Sequence, residues 1–479
     1  MQSVRRAFVW ATFGRYFNIV VNLGTTLIVA RIVSPASYGV SVMCASVFAI
    51  AEGLREFGGG AYLIQQRELT VNKIRTSITV NAIVTCISAA IIVAISGQIA
   101  TFYDVSEMKE FLYVRVFAYL FGPFIYPVLA LITREMMFNR TAIITIAMTI
   151  ATSVVTIGLA LAGFEYMSFA WANVAAAGLG AIICLRLSPH RNVYRPSLAD
   201  WRGVTSFGAF DSLTSLAAAF AEYAPYLAIG RFLPVAEVAI AQRAVALALI
   251  PERVLLAGVG AVALPAFSRR AHDRDELRRV YLATMEFSTT VYWPTLVTLA
   301  LLADPVVALL YGPKWHEAAG ILPLICAALS FAFPAALQYP ALVSAGAVRA
   351  LPALVVVQGA LTFASVVLTA RYGLTAVAEG LLVSVPANAL IGLLTIHRTI
   401  DLRWRAFAGG LRKSIFVTLL SACGPLVVMA AEGAGKRLSI LDAAVAVALA
   451  CSFWAAGIML TRHPLTEEVR RLVVRARSP

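Results

Sequence analysis

A long apolar run near the start of the chain limits what it can fold into. Ala7 to Ala30 is mostly apolar and is interrupted only by Arg15, Asn18 and Asn22. As a helix rising 1.5 Å per residue it would be about 36 Å long, enough to cross a bilayer. A short turn follows, Arg31-Ile32-Val33-Ser34-Pro35-Ala36-Ser37-Tyr38-Gly39. A second run, Val40 to Ala51, then meets the charges of Glu52, Arg55 and Glu56 and a Gly58-Gly59-Gly60 break. Charges carried into lipid are costly unless they face protein or a water-filled cavity. The hairpin has an echo in the second half of the chain. Phe207-Gly208 repeats Phe13-Gly14, and Gly230-Arg231-Phe232-Leu233-Pro234 repeats Ala30-Arg31-Ile32-Val33-Ser34. Pro251-Glu252-Arg253 lies near where a second Arg55-Glu56 belongs.

Such runs fill the chain. Of its 479 residues 60% are hydrophobic and 13% charged, against about 25% charged in soluble domains. The expected fold is an all-α polytopic membrane protein with about fourteen transmembrane helices. The spans are expected near 7–30, 40–64, 76–98, 111–133, 141–162, 167–187, 205–230, 237–263, 282–303, 318–345, 351–370, 374–397, 414–431 and 439–461. The net charge of +14 does not point to nucleic acid, because the basic residues sit in short loops. With both termini cytoplasmic, 27 of the 39 Lys and Arg fall on inner loops and tails, seven on outer loops or span edges and five inside spans. That inner excess fixes the orientation. Arg5-Arg6 ahead of the first run is read as the flank of an uncleaved helix, since further spans follow.

The expected organisation is an N-terminal six-helix lobe (1–187), an inter-lobe linker (188–204), a second six-helix lobe (205–400), an extra two-helix hairpin (401–461) and a basic tail (462–479). Residues 267–280 read as a short charged surface helix, and Pro464–Pro479 as a segment lying on the lipid surface. No stretch is long enough for a folded ATPase, and no Walker-type loop is present. The six cysteines all lie in apolar runs without CxxC or Cys/His spacing, so no metal, disulfide or cofactor is expected.

Polar residues inside the spans are the functional candidates. Arg15, Asn18 and Asn22 share one helix face, and Glu52, Arg55 and Glu56 form another. Asp211 and Glu222 are eleven residues apart, three turns, and align as well. Glu252 and Arg253 end the echoing hairpin. Arg115 and Arg243 read as helix-end arginines that snorkel to the interface. Repeated halves with polar faces on their opening hairpins suit a transporter with a central cavity. All five interior cations are arginine, which stays charged and grips phosphate oxygens bidentately.

The motif Ala30-Arg31-x-x-Ser34-Pro35-x-x-Tyr38-Gly39, with Glu56-Phe57-Gly58, resembles the polysaccharide transporter (O-antigen flippase) family. So does Ala303-Asp304-Pro305 followed by Leu310-Tyr311-Gly312-Pro313-Lys314-Trp315-x-x-Ala318-Ala319. That family belongs to the multidrug/oligosaccharidyl-lipid/polysaccharide exporter superfamily. The resemblance implies two pseudo-symmetric six-helix lobes in a V plus a helix pair, no enzymatic chemistry, and residence in the bacterial inner membrane. It implies flipping of undecaprenyl-diphosphate-linked oligosaccharide repeat units for exopolysaccharide, capsule or O-antigen synthesis. Arg15, Asn18, Arg55 and Arg253 are then the substrate-binding candidates. Glu52, Glu56, Asp211, Glu222 and Glu252 are candidates for reading a proton or sodium gradient. Lipid-linked oligosaccharide, membrane lipids and polymerase or export proteins are the expected partners. A lipid II flippase and a cation-coupled drug exporter are the alternatives within the superfamily.

Overall fold

The computed structural model describes residues 2–55, 60–66, 68–188, 191–255, 267, 273–333, 337–433, 438–463 and 466. All regular structure among the described residues is helical. Water is absent from the bilayer core, so a backbone crossing it must satisfy its own N–H and C=O groups, and a helix does so. Nine helices among the described residues are long and apolar enough to cross a membrane, or eleven if each of two bent pairs forms one span. Their outward faces carry large apolar side chains such as Val20, Leu161, Val383, Leu419 and Leu460, each more than half exposed. That surface belongs in lipid. The protein is a multi-pass membrane protein.

By packing, the chain divides into Met1–Ala239 and Ile240–Pro479. The first unit holds α1 (Gln2–Ile32), α2 (Pro35–Arg55), α3 (Gly60–Gln65), α4 (Val71–Tyr103), α5 (Glu107–Leu120), α6 (Gly122–Arg134), α7 (Phe138–Leu161), α8 (Met167–Leu187) and α9 (Trp201–Phe232). The division falls inside α10 (Val235–Ala248), downstream of 188–204, because α9 packs along α2 and α4. A Cβ on Gly53 would meet the Leu216 backbone of α9 at 2.7 Å, so α2 and α9 approach closely. α1 lies against α7, and α7 against α8.

The opening hairpin and its echo have the same geometry. α1 and α2 are joined by two residues, as are α9 and α10. In both, the first residue past the helix donates its N–H four residues back, Val33 to Val29 and Leu233 to Ile229, each at 2.9 Å. Arginines counted above as inner-loop charges also close helix ends. Arg134 Nη1 donates to the carbonyls of Leu63 and Ile64 at the end of α3, and Arg140 Nη1 to Leu187 at the end of α8. Cations suit those carbonyl-rich ends.

The second unit contains α11 (Arg274–Leu301), α12 (Ala303–Leu310), α13 (His316–Ser330), α14 (Gln338–Ser344), α15 (Ala350–Thr369), α16 (Leu374–Ile400), α17 (Trp404–Glu432) and α18 (Ile440–Leu460). α11 packs on α13 and α17, α15 on α16, and α17 on α18.

Several expected segments are different in the structure. The 40–64 span is α2 and a separate α3, with 56–59 outside the described residues. The 111–133 span bends by 42° between α5 and α6, where Pro123 lies in the first turn of α6 and supplies no N–H. α11 and α12 meet at 82°, so Asp304-Pro305 opens a helix and is not a loop. The charged stretch expected as a separate helix at 267–280 is instead the first turns of α11 from Arg274. Asp273 caps that start, accepting from the N–H of Asp275 at 2.8 Å and of Glu276 at 3.3 Å. No breaker separates those turns from the apolar run that follows. Most of Pro464–Pro479 lies outside the described residues.

The crossing of α17 and α18 depends on a missing side chain that would otherwise strike backbone. A Cβ on Gly424 would sit 2.5 Å from the Ala450 backbone N. Gly424→Leu is therefore expected to destabilise the protein by about 1–3 kcal/mol. A thermal-melt midpoint unchanged from wild type would contradict that close approach.

Candidate functional site

In the first unit a polar pocket forms where α2 and α5 meet. Phe48 and Tyr119 stack between them with ring centroids 5.8 Å apart, and Tyr119 Oη donates to Ala51 O at 3.1 Å. This fixes the turn of α2 that carries Glu52. From α5, the Arg115 guanidinium lies 5.1 Å above the Phe48 ring and lines the same pocket as Glu52. A cavity of about 110 Å³ opens beside them, lined also by Tyr126, Thr152 and Asn173. It has room for a few water molecules. Thr152 donates to Met148 O at 3.0 Å and Asn173 to Phe169 O at 2.7 Å, on their own helices. Arg115 thus does not snorkel; it lines an interior pocket.

The other candidates are spread over both units. On α1, Arg15 and Asn22 are exposed on one face and Asn18 is half-buried. Asn18 Oδ1 is buried without a hydrogen-bond partner among the described residues. Arg55 is the last residue of α2; its side chain, that of Asp211 and all of Glu56 lie outside the described residues. Glu222 is exposed on α9. In the second unit Glu252 is half-buried and Arg253 exposed, within the helical stretch 250–255. The structure therefore brings Glu52 into a defined pocket, and it leaves Arg15 and Arg253 accessible.

Arg243 also departs from the snorkelling expectation. It is 2% exposed, with its guanidinium 5.1 Å from the Tyr311 ring and 5.4 Å from the Trp315 ring. Arginine's flat, weakly hydrated head suits such a dry aromatic slot. The Tyr311-Gly312-Pro313-Lys314-Trp315 motif therefore wraps a cation. Trp293 donates its Nε1–H to Ser330 O at 2.7 Å and joins α11 to α13. Sequence reasoning also missed Gln358. Its Nε2 donates to Gln338 Oε1 at 3.3 Å and to Asn388 O at 3.0 Å, while Asn388 Nδ2 donates to Thr362 Oγ1 at 2.8 Å. A Cβ on Gly392 would come within 2.4 Å of Gln338 Oε1, so that glycine makes room for the amide cluster. A lone Gln in an apolar run gives no sign of its partners.

A family model for polysaccharide biosynthesis proteins matches residues 28–320. The chain belongs to that family. The matched range contains both motifs that carried the resemblance, the opening hairpin and the Arg243-wrapping turn. This polysaccharide biosynthesis protein is 25% identical to the succinoglycan biosynthesis transport protein ExoT of Rhizobium meliloti (strain 1021), over 100% of this chain and 97% of that one. It is 23% identical to the lipopolysaccharide biosynthesis protein WzxC of Escherichia coli (strain K12), over 66% of this chain and 65% of that one. Its fold is like that of the lipid II flippase MurJ in an inward closed conformation. The TM-score is 0.76 at 10% identity, covering 95% of this chain and 100% of that one. The polysaccharide biosynthesis protein thus shares the fold of that flippase over nearly its whole length.

Two outcomes follow for these sites. Arg243→Ala should lower stability by about 2 kcal/mol and expose the Lys314 turn to trypsin; a protein that melts and digests like wild type would count against the aromatic clamp. Glu52→Gln and Arg115→Gln should be non-additive, with a coupling of about 1 kcal/mol in a double-mutant cycle of unfolding. Simple additivity would show that the two charges do not interact.

Proposed function

We propose that the protein flips undecaprenyl-diphosphate-linked oligosaccharide repeat units from the cytoplasmic to the outer leaflet of the bacterial inner membrane. It does so by alternating access, for exopolysaccharide, capsule or O-antigen synthesis. The observation that carries this reading is the end-to-end similarity to a succinoglycan biosynthesis transport protein. The substrate's diphosphate needs cations that keep their charge in a low dielectric. Arg15, Asn18, Arg55 and Arg253 are its proposed binding residues, and the exposure of Arg15 and Arg253 agrees with that role.

In this reading the chain has fourteen spans with both termini cytoplasmic, arranged as two six-helix lobes and a helix pair. The inner excess of Lys and Arg supports the orientation. Energy comes from an ion gradient or the membrane potential. Glu52 in its pocket with Arg115, together with Glu56, Asp211, Glu222 and Glu252, are the proposed coupling carboxylates. Polymerase or export proteins in the same membrane would receive the flipped unit.

The test is to express the chain in a flippase-deficient strain and follow lipid-linked oligosaccharide by leaflet-specific lectin access. Wild type should relieve cytoplasmic accumulation of complete units. Arg15→Ala and Arg253→Ala should relieve it at least about tenfold more slowly, the loss expected for one charge-assisted phosphate contact. Units that cross without the protein, or are never completed, would overturn the flippase reading.

A further inference from the structure

Two ionisable side chains that are not among the proposed binding or coupling residues converge on one carboxylate oxygen. Glu286 Oε1 on α11 lies 3.5 Å from Lys413 Nζ on α17 and 3.5 Å from His463 Nε2, just past α18. The His463 side chain is 1% exposed, Glu286 20% and Lys413 43%. Hydroxyls also line the site. His463 Nε2 is 3.1 Å from Thr290 Oγ1, and Ser414 Oγ is 2.8 Å from Thr290 Oγ1 and 2.9 Å from Thr289 Oγ1. Trp454 Nε1 donates to Thr290 O at 2.8 Å. The site therefore joins α11 to both helices of the C-terminal pair.

We propose that Glu286, Lys413 and His463 form a proton-binding site in which the carboxylate exchanges cations, and that this exchange sets how firmly the C-terminal helix pair holds α11. With His463 neutral, Glu286 pairs with Lys413 and ties α17 to α11. A proton on His463 places two cations on one carboxylate in a confined space. His463 is enclosed and Lys413 is not, so Lys413 is displaced into water and the α17 tie is lost.

Burial, and then the charge of Lys413, hold His463 below the ordinary histidine range, while Glu286 pulls the other way. Other charged groups lie on the described parts of these helices. On α11, Arg278 and Arg279 lie about two turns away. On α17, Arg412 is exposed, as is Arg462 beside the histidine. The ionisable groups of α18 are exposed Cys451 and, at its opposite end, Asp442. A histidine depressed by folding contributes stability that is present above its unfolded value and is lost as pH falls through the folded one. The switch therefore opens toward acid.

The full chain in phospholipid nanodiscs allows a direct test. Exchange of the histidine C2 proton, read by mass spectrometry, titrates His463 by itself. In wild type it should titrate below the ordinary value. Lys413→Gln should move it up by about half a pH unit or more, and Glu286→Gln should move it down. Between about pH 7.5 and 5.5 amide exchange at the start of α17 should rise in wild type but not in His463→Gln. Lys413→Gln alters a half-exposed position, so it keeps the test open if Glu286→Gln does not fold. A His463 that titrates normally and ignores Lys413→Gln, or α17 exchange that is the same in wild type and His463→Gln, would overturn the proposal.

Discussion

Everything in this structure follows from the absence of water around most of the chain. A backbone in lipid must satisfy its own polar groups, so the described elements are helices, and they break only where side chains or proline allow it. The 42° bend at Gly122-Pro123 places a residue with no N–H in the first turn of the new helix, where that N–H would have had no helical partner. The α2–α9 and α17–α18 contacts rely on Gly53 and Gly424, where the absence of a Cβ lets two backbones approach. Lipid tails are as apolar as leucine, so close packing replaces the hydrophobic effect as the force between helices.

The same constraint divides the arginines by use. Arg115 lies over Phe48, Arg231 over Phe102, and Arg243 against Tyr311 and Trp315. In these places the guanidinium meets a π face of its own unit. Arg134 and Arg140 are committed to helix ends. Arg15 and Arg253 remain exposed. The proposed diphosphate substrate would have to compete with whatever already holds a cation, so the proposal rests on the exposed arginines and not on the clamped ones.

Much of the fold was legible because hydropathy is a one-dimensional signal that a helix preserves. The hairpin echo was legible too, since Arg31 and Arg231 mark the ends of α1 and α9 and each is followed by a two-residue turn. What could not be read was pairing across distance. Arg243 looked like a snorkelling residue because Tyr311 and Trp315 lie far along the chain. Arg115 looked the same until Phe48 and Glu52 were seen beside it. Gln358, Lys413 and His463 carried no local signal at all, for their partners come from other helices. The start of α11 was misread because a charged stretch resembles a surface helix, whereas Asp273 caps it into the helix that continues inward.

The C-terminal helix pair shows how these effects combine. Its spans hold almost no interior charge of their own, so composition alone makes it look like a passive lipid-facing addition. Yet it is tied to α11 by the Glu286–Lys413–His463 cluster and Trp454, and its two helices are locked at Gly424. α11 in turn carries Trp293 against α13 and bends sharply into α12, the helix that leads to the Arg243-wrapping motif. A force on the pair is therefore borne by α11 and by that turn together. Helices with little polarity of their own can still be anchored through the few polar atoms that bind them to a neighbouring helix.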